Sequence, residues 1–189
     1  MNLIFIRHSQ SLVNPAIPIA SWGLSDEGVI LAKKLAKLAV INSLDVIYSS
    51  LQPKALETAA FATEGMSIMI KKDDRLTEST SFTNKFVDLE TLNENDRKYY
   101  ADKNLSINGG ETYTEALARF MTALEDITLV ESESTNIGIV SHGNILASFA
   151  SEHIDKDVNE IAKNLRQPDI AVFNWDTKKF TTPFGEITI

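Results

Sequence analysis

The chain opens with four consecutive apolar residues, Leu3-Ile4-Phe5-Ile6, that give way at once to Arg7-His8-Ser9. An uninterrupted apolar run of this length predicts a strand covered on both faces, because helices on either side leave it no polar face to maintain. The polar tripeptide then falls at the strand's carboxyl end, where ligands bind in open parallel sheets. Similar runs recur at 45–50, 67–71 and 136–140, the last followed by Ser141-His142-Gly143. Two histidines therefore sit at two predicted strand ends.

Between the strands the period changes to that of a helix. Leu31, Leu35 and Leu38 recur on one side with Lys33, Lys34 and Lys37 opposite, predicting an amphipathic helix from an N-cap at Ser25 to near Asn42. Pro53 suits the first turn of a second helix, which carries Lys54, Ala55, Thr58 and Ala59. Glu111-Thr112 opens a long third helix whose apolar stripe runs from Ala116 through Phe120 and Leu124 to Ile127. A helix over 144–153 and a weaker one over 157–165 follow, and two strands, 170–175 and 180–189, are expected to pair as a hairpin at the sheet edge. Loops are expected at 15–22, which holds two prolines, and at 131–134.

The β-α-β-α-β order of the first half predicts parallel strands with right-handed crossovers. The expected fold is α/β, a three-layer α/β/α sandwich with a mostly parallel central sheet and a helical lid insertion. Residues 1–189 are read as one domain, with 79–109 as the lid, since long connections in compact domains tend to cover binding sites. Phe82, Phe86, Tyr99 and Tyr100 either line its pocket or form its own small core.

Composition narrows the function classes. A formal charge of −8 argues against a general nucleic-acid or anionic-membrane surface, both of which need a basic patch, so any anion site must be local. No apolar run approaches the roughly 20 residues that span a bilayer, and a strand stands where a signal peptide would begin, so a cytoplasmic protein is expected. The absence of cysteine rules out a thiolate nucleophile and a cysteine zinc site. Oligomeric state is not readable.

Six motifs occur in order: Arg7-His8-Ser9-Gln10-Ser11-Leu12-Val13-Asn14, Leu24-Ser25-Asp26-Glu27-Gly28, Ser49-Ser50 through Lys54-Ala55 to Thr58-Ala59, Arg75-Leu76-Thr77-Glu78, Gly110-Glu111-Thr112 and Val140-Ser141-His142-Gly143. Together they resemble the histidine phosphatase superfamily, the phosphoglycerate mutase-like family, over nearly the whole chain. The resemblance implies that His8 attacks phosphorus and forms a phosphohistidine that water hydrolyses, without a metal or cofactor. Arg7, His142, Lys54 and Asn14 would bind phosphate oxygens, and Glu78 would protonate the leaving group, which requires a raised pKa. His153 matches no motif and is read as structural.

Two positions depart from the family pattern. Ser9 replaces the usual glycine and either crowds the phosphate or donates to it. Lys54 replaces a second arginine, keeping the charge but losing the bidentate fork. The expected activity is a phosphatase acting on a small phosphorylated metabolite, weakened by the Lys54 exchange. The alternative from another class is a degenerate, non-catalytic member that binds phosphorylated ligands. A mutase is disfavoured because Ser79-Thr80-Ser81-Phe82 follows Glu78 where mutases carry Arg-His-Tyr-Gly. A protein phosphohistidine phosphatase is disfavoured because its smaller relatives lack a long lid.

Overall fold

The computed structural model of the protein describes residues 1–82, 86–132 and 134–189. Positions 83–85 of the expected lid and position 133 of the expected loop lie outside them. The first strand, β1 (Asn2–Arg7), lies inside a six-stranded sheet of order β3-β2-β4-β1-β5-β6, with β2 (Val46–Ser49), β3 (Met69–Lys72), β4 (Asn136–Ser141), β5 (Asp169–Asn174) and β6 (Lys179–Thr182). The pairs β1·β4, β2·β4 and β2·β3 are parallel. One strand is reversed, β5, which pairs antiparallel with both β1 and β6. The sheet is thus mixed, parallel through its first four strands.

The apolar run of β1 is explained by two cores. Leu3 and Phe5 join Ile137, Ile139 and the apolar stripes of α5 (Tyr113–Val130) and α6 (Gly143–Ser151) on one face. Ile4 and Ile6 join Ile47 and Val140 on the other, against Leu35 of α1 (Asp26–Leu35), Ile41 of α2 (Ala39–Asn42) and Ala55, Ala59 and Ala62 of α3 (Pro53–Ala62). Alternation of side chains across the sheet sends successive residues to opposite layers, so every position must be apolar. Among the described residues no helix is long and apolar enough to cross a membrane.

Two expectations are corrected here. The helix expected to end near Asn42 stops at Leu35, turns through Ala36–Lys37 with short-range bonds from Lys37 to Lys34 and Leu38 to Leu35, and restarts at Ala39. Ile41 lies six residues beyond Leu35, so an unbroken helix would rotate it about 120° away from the face Leu35 buries; the break returns it to the same core. The last strand ends at Thr182 rather than Ile189, because Pro183 cannot continue the ladder and Gly185 turns the chain at φ +90.

After β3, the chain passes through Glu78 to α4 (Leu89–Ala101), which Asp88 caps by accepting from the backbone of Thr91. Phe82, Tyr99 and Tyr100 pack with Ile107 and Tyr113 as a separate cluster. Helix α4 contacts α7 (Val158–Asn164), which in turn packs on α6. His153 sits between the rings of Phe149 and Phe173, a packing role.

Candidate active site

Because β1, β2 and β4 are parallel, their carboxyl ends open on one edge. A cavity of about 620 Å³ lies there, with Arg7, His8, Lys54, Glu78 and His142 in its wall. Residues scattered from 7 to 142 thus converge at the strand ends.

The His8 ring is buried, and its Nδ1 lies 2.8 Å from the Ser9 carbonyl oxygen. A carbonyl only accepts, so the proton sits on Nδ1 and Nε2 keeps its lone pair. Burial first, then the charges of Lys54 and Arg7, pull the His8 pKa down to about 3, so the imidazole is neutral at physiological pH. The His142 ring stands 5.1 Å from that of His8, centroid to centroid, and burial likewise holds its pKa well below the usual histidine value. Its Nε2 is 2.8 Å from Ser50 Oγ, and its Nδ1 is buried without a partner. Ser50 Oγ already accepts from the backbone N–H of Gln52. Among the described residues the Ser50 hydroxyl proton has no other acceptor, so it goes to His142 Nε2, and the ring proton sits on Nδ1.

The Arg7 guanidinium is clamped by one arm. Its Nη1 donates to the Leu165 carbonyl at 2.5 Å, just past the end of α7, while its Nε is buried and unpartnered. Gly143 explains how the group fits: a Cβ there would lie 3.0 Å from Arg7 Nη2.

Glu78 is buried at the start of α6, whose backbone N–H groups it caps. Its Oε1 accepts from Ser79 and Ile145, and its Oε2 from Asn144 at 2.8 Å. Burial raises its pKa against these donors and against Lys54. With Oε1 doubly engaged, Oε2 is the oxygen with room for a proton. The loop carrying it is braced by Glu111, which accepts from the backbone of Thr80 and is gripped by Arg119 at 2.6 Å and 2.9 Å. Gly110 is obligatory in this brace, since a Cβ would fall 2.2 Å from the Ser81 nitrogen.

Lys54 sits in the first turn of α3, only 4% exposed, and donates to the Ile19 carbonyl at 3.0 Å. Burial lowers its pKa to about 8, with Glu78 opposing and Arg7 assisting. Ser9 turns away from the cavity: its hydroxyl donates to the Gly28 carbonyl at 2.7 Å, and its N–H donates to Thr58 Oγ1. It neither crowds the cavity nor donates into it. Asn14 is exposed and outside the cavity wall, its side chain accepting from the backbone of Ala16 as a turn former.

Sequence reasoning missed Gly143 as the seat of Arg7, the Glu111–Arg119 brace, and the polar wall that Asp96 on α4 and Asn159 and Lys163 on α7 add to the cavity. The motifs held the signal for the first two. Asp96 had none, being one acid in a polar helix.

The chain belongs to the histidine phosphatase superfamily, branch 1, whose family description matches residues 3–183. Solved structures share the fold at low identity. Mycobacterial glucosyl-3-phosphoglycerate phosphatase in complex with inorganic phosphate is 17% identical, with a TM-score of 0.78 over 99% of this chain and 97% of that one. YhfR from Bacillus stearothermophilus is 21% identical, with a TM-score of 0.77 over 100% and 98%. A putative alpha-ribazole-5'-P phosphatase from Escherichia coli is 18% identical, with a TM-score of 0.72 over 97% and 95%. No curated protein matches the chain.

Proposed function

We propose that the protein is a phosphatase that hydrolyses a small phosphate monoester through a phosphohistidine on His8, without a metal. The observation that carries this reading is a neutral imidazole, His8, gathered with Arg7, Lys54, Glu78 and His142 in the wall of one cavity. Cations and ring N–H groups around one cavity are what a phosphoryl group's oxygens require. Family membership and the phosphatases of like fold point the same way.

In the first step the lone pair on His8 Nε2 attacks phosphorus and the bond from phosphorus to the leaving oxygen breaks. The Glu78 proton goes to that oxygen, so the product is the alcohol. Positive charge developing on the ring is shared through Nδ1–H with the Ser9 carbonyl. Water then attacks phosphorus, the P–N bond breaks, and the water's proton returns to Glu78, regenerating both groups. Arg7, His142 and Lys54 stabilise the equatorial oxygens, whose charge is spread in the transition state. The non-catalytic reading loses one of its two motives because Ser9 faces Gly28 rather than the cavity.

The test is hydrolysis of an aryl phosphate between about pH 5 and 8 with chelator present, wild type against His8→Ala, with a denaturing alkaline quench to trap the acid-labile phosphohistidine. Chelator-resistant turnover and labelling that both vanish in the variant are expected. Equal turnover in the two proteins would remove His8 as nucleophile, and phosphate binding without turnover in wild type would establish the binding-module alternative.

A further inference from the structure

One stretch of the cavity wall is apolar and open to water. Val13 and Phe86 stand in it 58% and 39% exposed, and the buried Trp22 ring lies 6.0 Å from that of Phe86, centroid to centroid. Two aromatic residues of the wall carry polar tips, and the protein already engages both. Trp22 Nε1 donates to the Asn14 carbonyl at 2.9 Å, and the Tyr100 hydroxyl donates to Asn144 Oδ1 at 2.8 Å. What these side chains leave for a ligand is ring surface. The apolar stretch adjoins Lys54, one of the proposed phosphate-binding groups. The Trp22 carbonyl accepts from the Lys54 backbone N–H at 3.1 Å, and the Ile19 carbonyl accepts from Lys54 Nζ.

We infer that Phe86 and Val13, backed by Trp22, receive the leaving group of the substrate, so that the protein takes phosphate esters of aromatic or bulky apolar alcohols over those of polyols. This rests on the phosphatase reading for the position of the phosphoryl group beside Lys54. An exposed Phe and Val gain by shedding water onto an apolar ligand, whereas polyol hydroxyls brought against them lose water and find no partner. Arg97 and Lys163, also in the wall, do not select an anionic leaving group, because both are exposed to water and have Glu90 and Asp96 as acidic neighbours.

The measurement is the ratio of kcat/KM for 2-phenylethyl phosphate to that for erythritol 4-phosphate, with 4-phosphooxybutanoate alongside, in wild type, Phe86→Ala, Phe86→Leu and Val13→Ser. All three are esters of primary alcohols, and a ratio cancels any loss common to the phosphate end. The wild-type ratio is expected to exceed roughly tenfold. It should fall toward one in Phe86→Ala, fall less in Val13→Ser, and be largely retained in Phe86→Leu, which keeps an apolar side chain. A wild-type ratio near or below one, a ratio that survives Phe86→Ala, or a preference for the butanoate ester would each overturn the inference. Should none of the esters turn over, which counts against the phosphatase reading, calorimetric binding of the same three esters to the same four proteins applies the same criteria, and binding of none of them would overturn both.

Discussion

Lys54→Arg exchanges a cation that titrates near the working pH for one that does not. The Lys54 ammonium is pulled down to about 8 by burial, with Glu78 opposing the shift. In the proposed mechanism the phosphoryl group needs the charged form, so kcat/KM, which reports ionisations of the free protein, should decline above pH 8. One unit above that value about one molecule in eleven retains the ammonium, a loss of roughly tenfold at pH 9 relative to the plateau. Four other groups in the cavity wall titrate outside that window. His8 and His142 are held far below it, Asp96 is at about 6, and burial pushes Tyr100 well above 10. An arginine stays charged throughout and restores a planar fork, with the adjoining cavity offering room for its extra atoms. The expected result is an alkaline limb that disappears from the profile up to about pH 10, with a plateau at or above wild type. The assay is initial-rate hydrolysis of an aryl phosphate, whose leaving group needs little protonation, at substrate concentrations well below KM. An alkaline limb that persists unchanged in Lys54→Arg would show that Lys54 is not the group that titrates and would refute the reasoning.

Glu78→Gln should lower kcat for alkyl phosphates by roughly 10²–10⁴ while costing aryl phosphates less than about tenfold, measured as the ratio of the two; equal losses would remove Glu78 as the acid. Stability should fall as pH drops from about 6.5 toward 3, because the unfolded chain protonates its histidines while burial keeps His8 and His142 neutral. Folded-state pKa values below the unfolded ones mean that the unfolded state binds more protons in this window. His8 alone accounts for about 2 kcal/mol between pH 6.5 and 5, and urea midpoints for wild type and His8→Asn should converge as pH falls. Gly28→Ala would put a Cβ 2.0 Å from the Gln10 carbonyl oxygen and should cost roughly 2–3 kcal/mol in denaturant unfolding, with no change if α1 can shift freely.

The strands were legible because a sheet sandwiched between helices turns burial into unbroken apolar runs, and the gathering of Arg7, His8 and His142 was legible because those runs end in polar groups on one edge. The direction of a side chain at such an end was not. Ser9 and Asn14 both stand in the first motif, yet Ser9 turns into the packing under α1 and Asn14 closes its own loop, choices made by Gly28 and Ala16 rather than by their own chemistry. The break after Leu35 left no proline or glycine to read, because it arises from where Ile41 must go. Asp96 and Asn159 meet in one cavity wall only when α4 and α7 are brought together, and sequence separation hides that pairing.

The position of β1 also governs how the protein can be made. β1 is synthesised before both strands that flank it in the finished sheet, β4 and β5, and Arg7 rests on a carbonyl 158 residues further along. A ribosome-bound chain that has already delivered every motif through His142 still lacks the strand that closes one side of β1 and the carbonyl that clamps the guanidinium. Its apolar first strand stays open to water, chaperones or other nascent chains until the last elements emerge. Such long-range closure is slow compared with local helix formation. Catalytic competence should therefore arrive late and all at once, so that appearance of turnover during cell-free translation marks completion of the whole sheet.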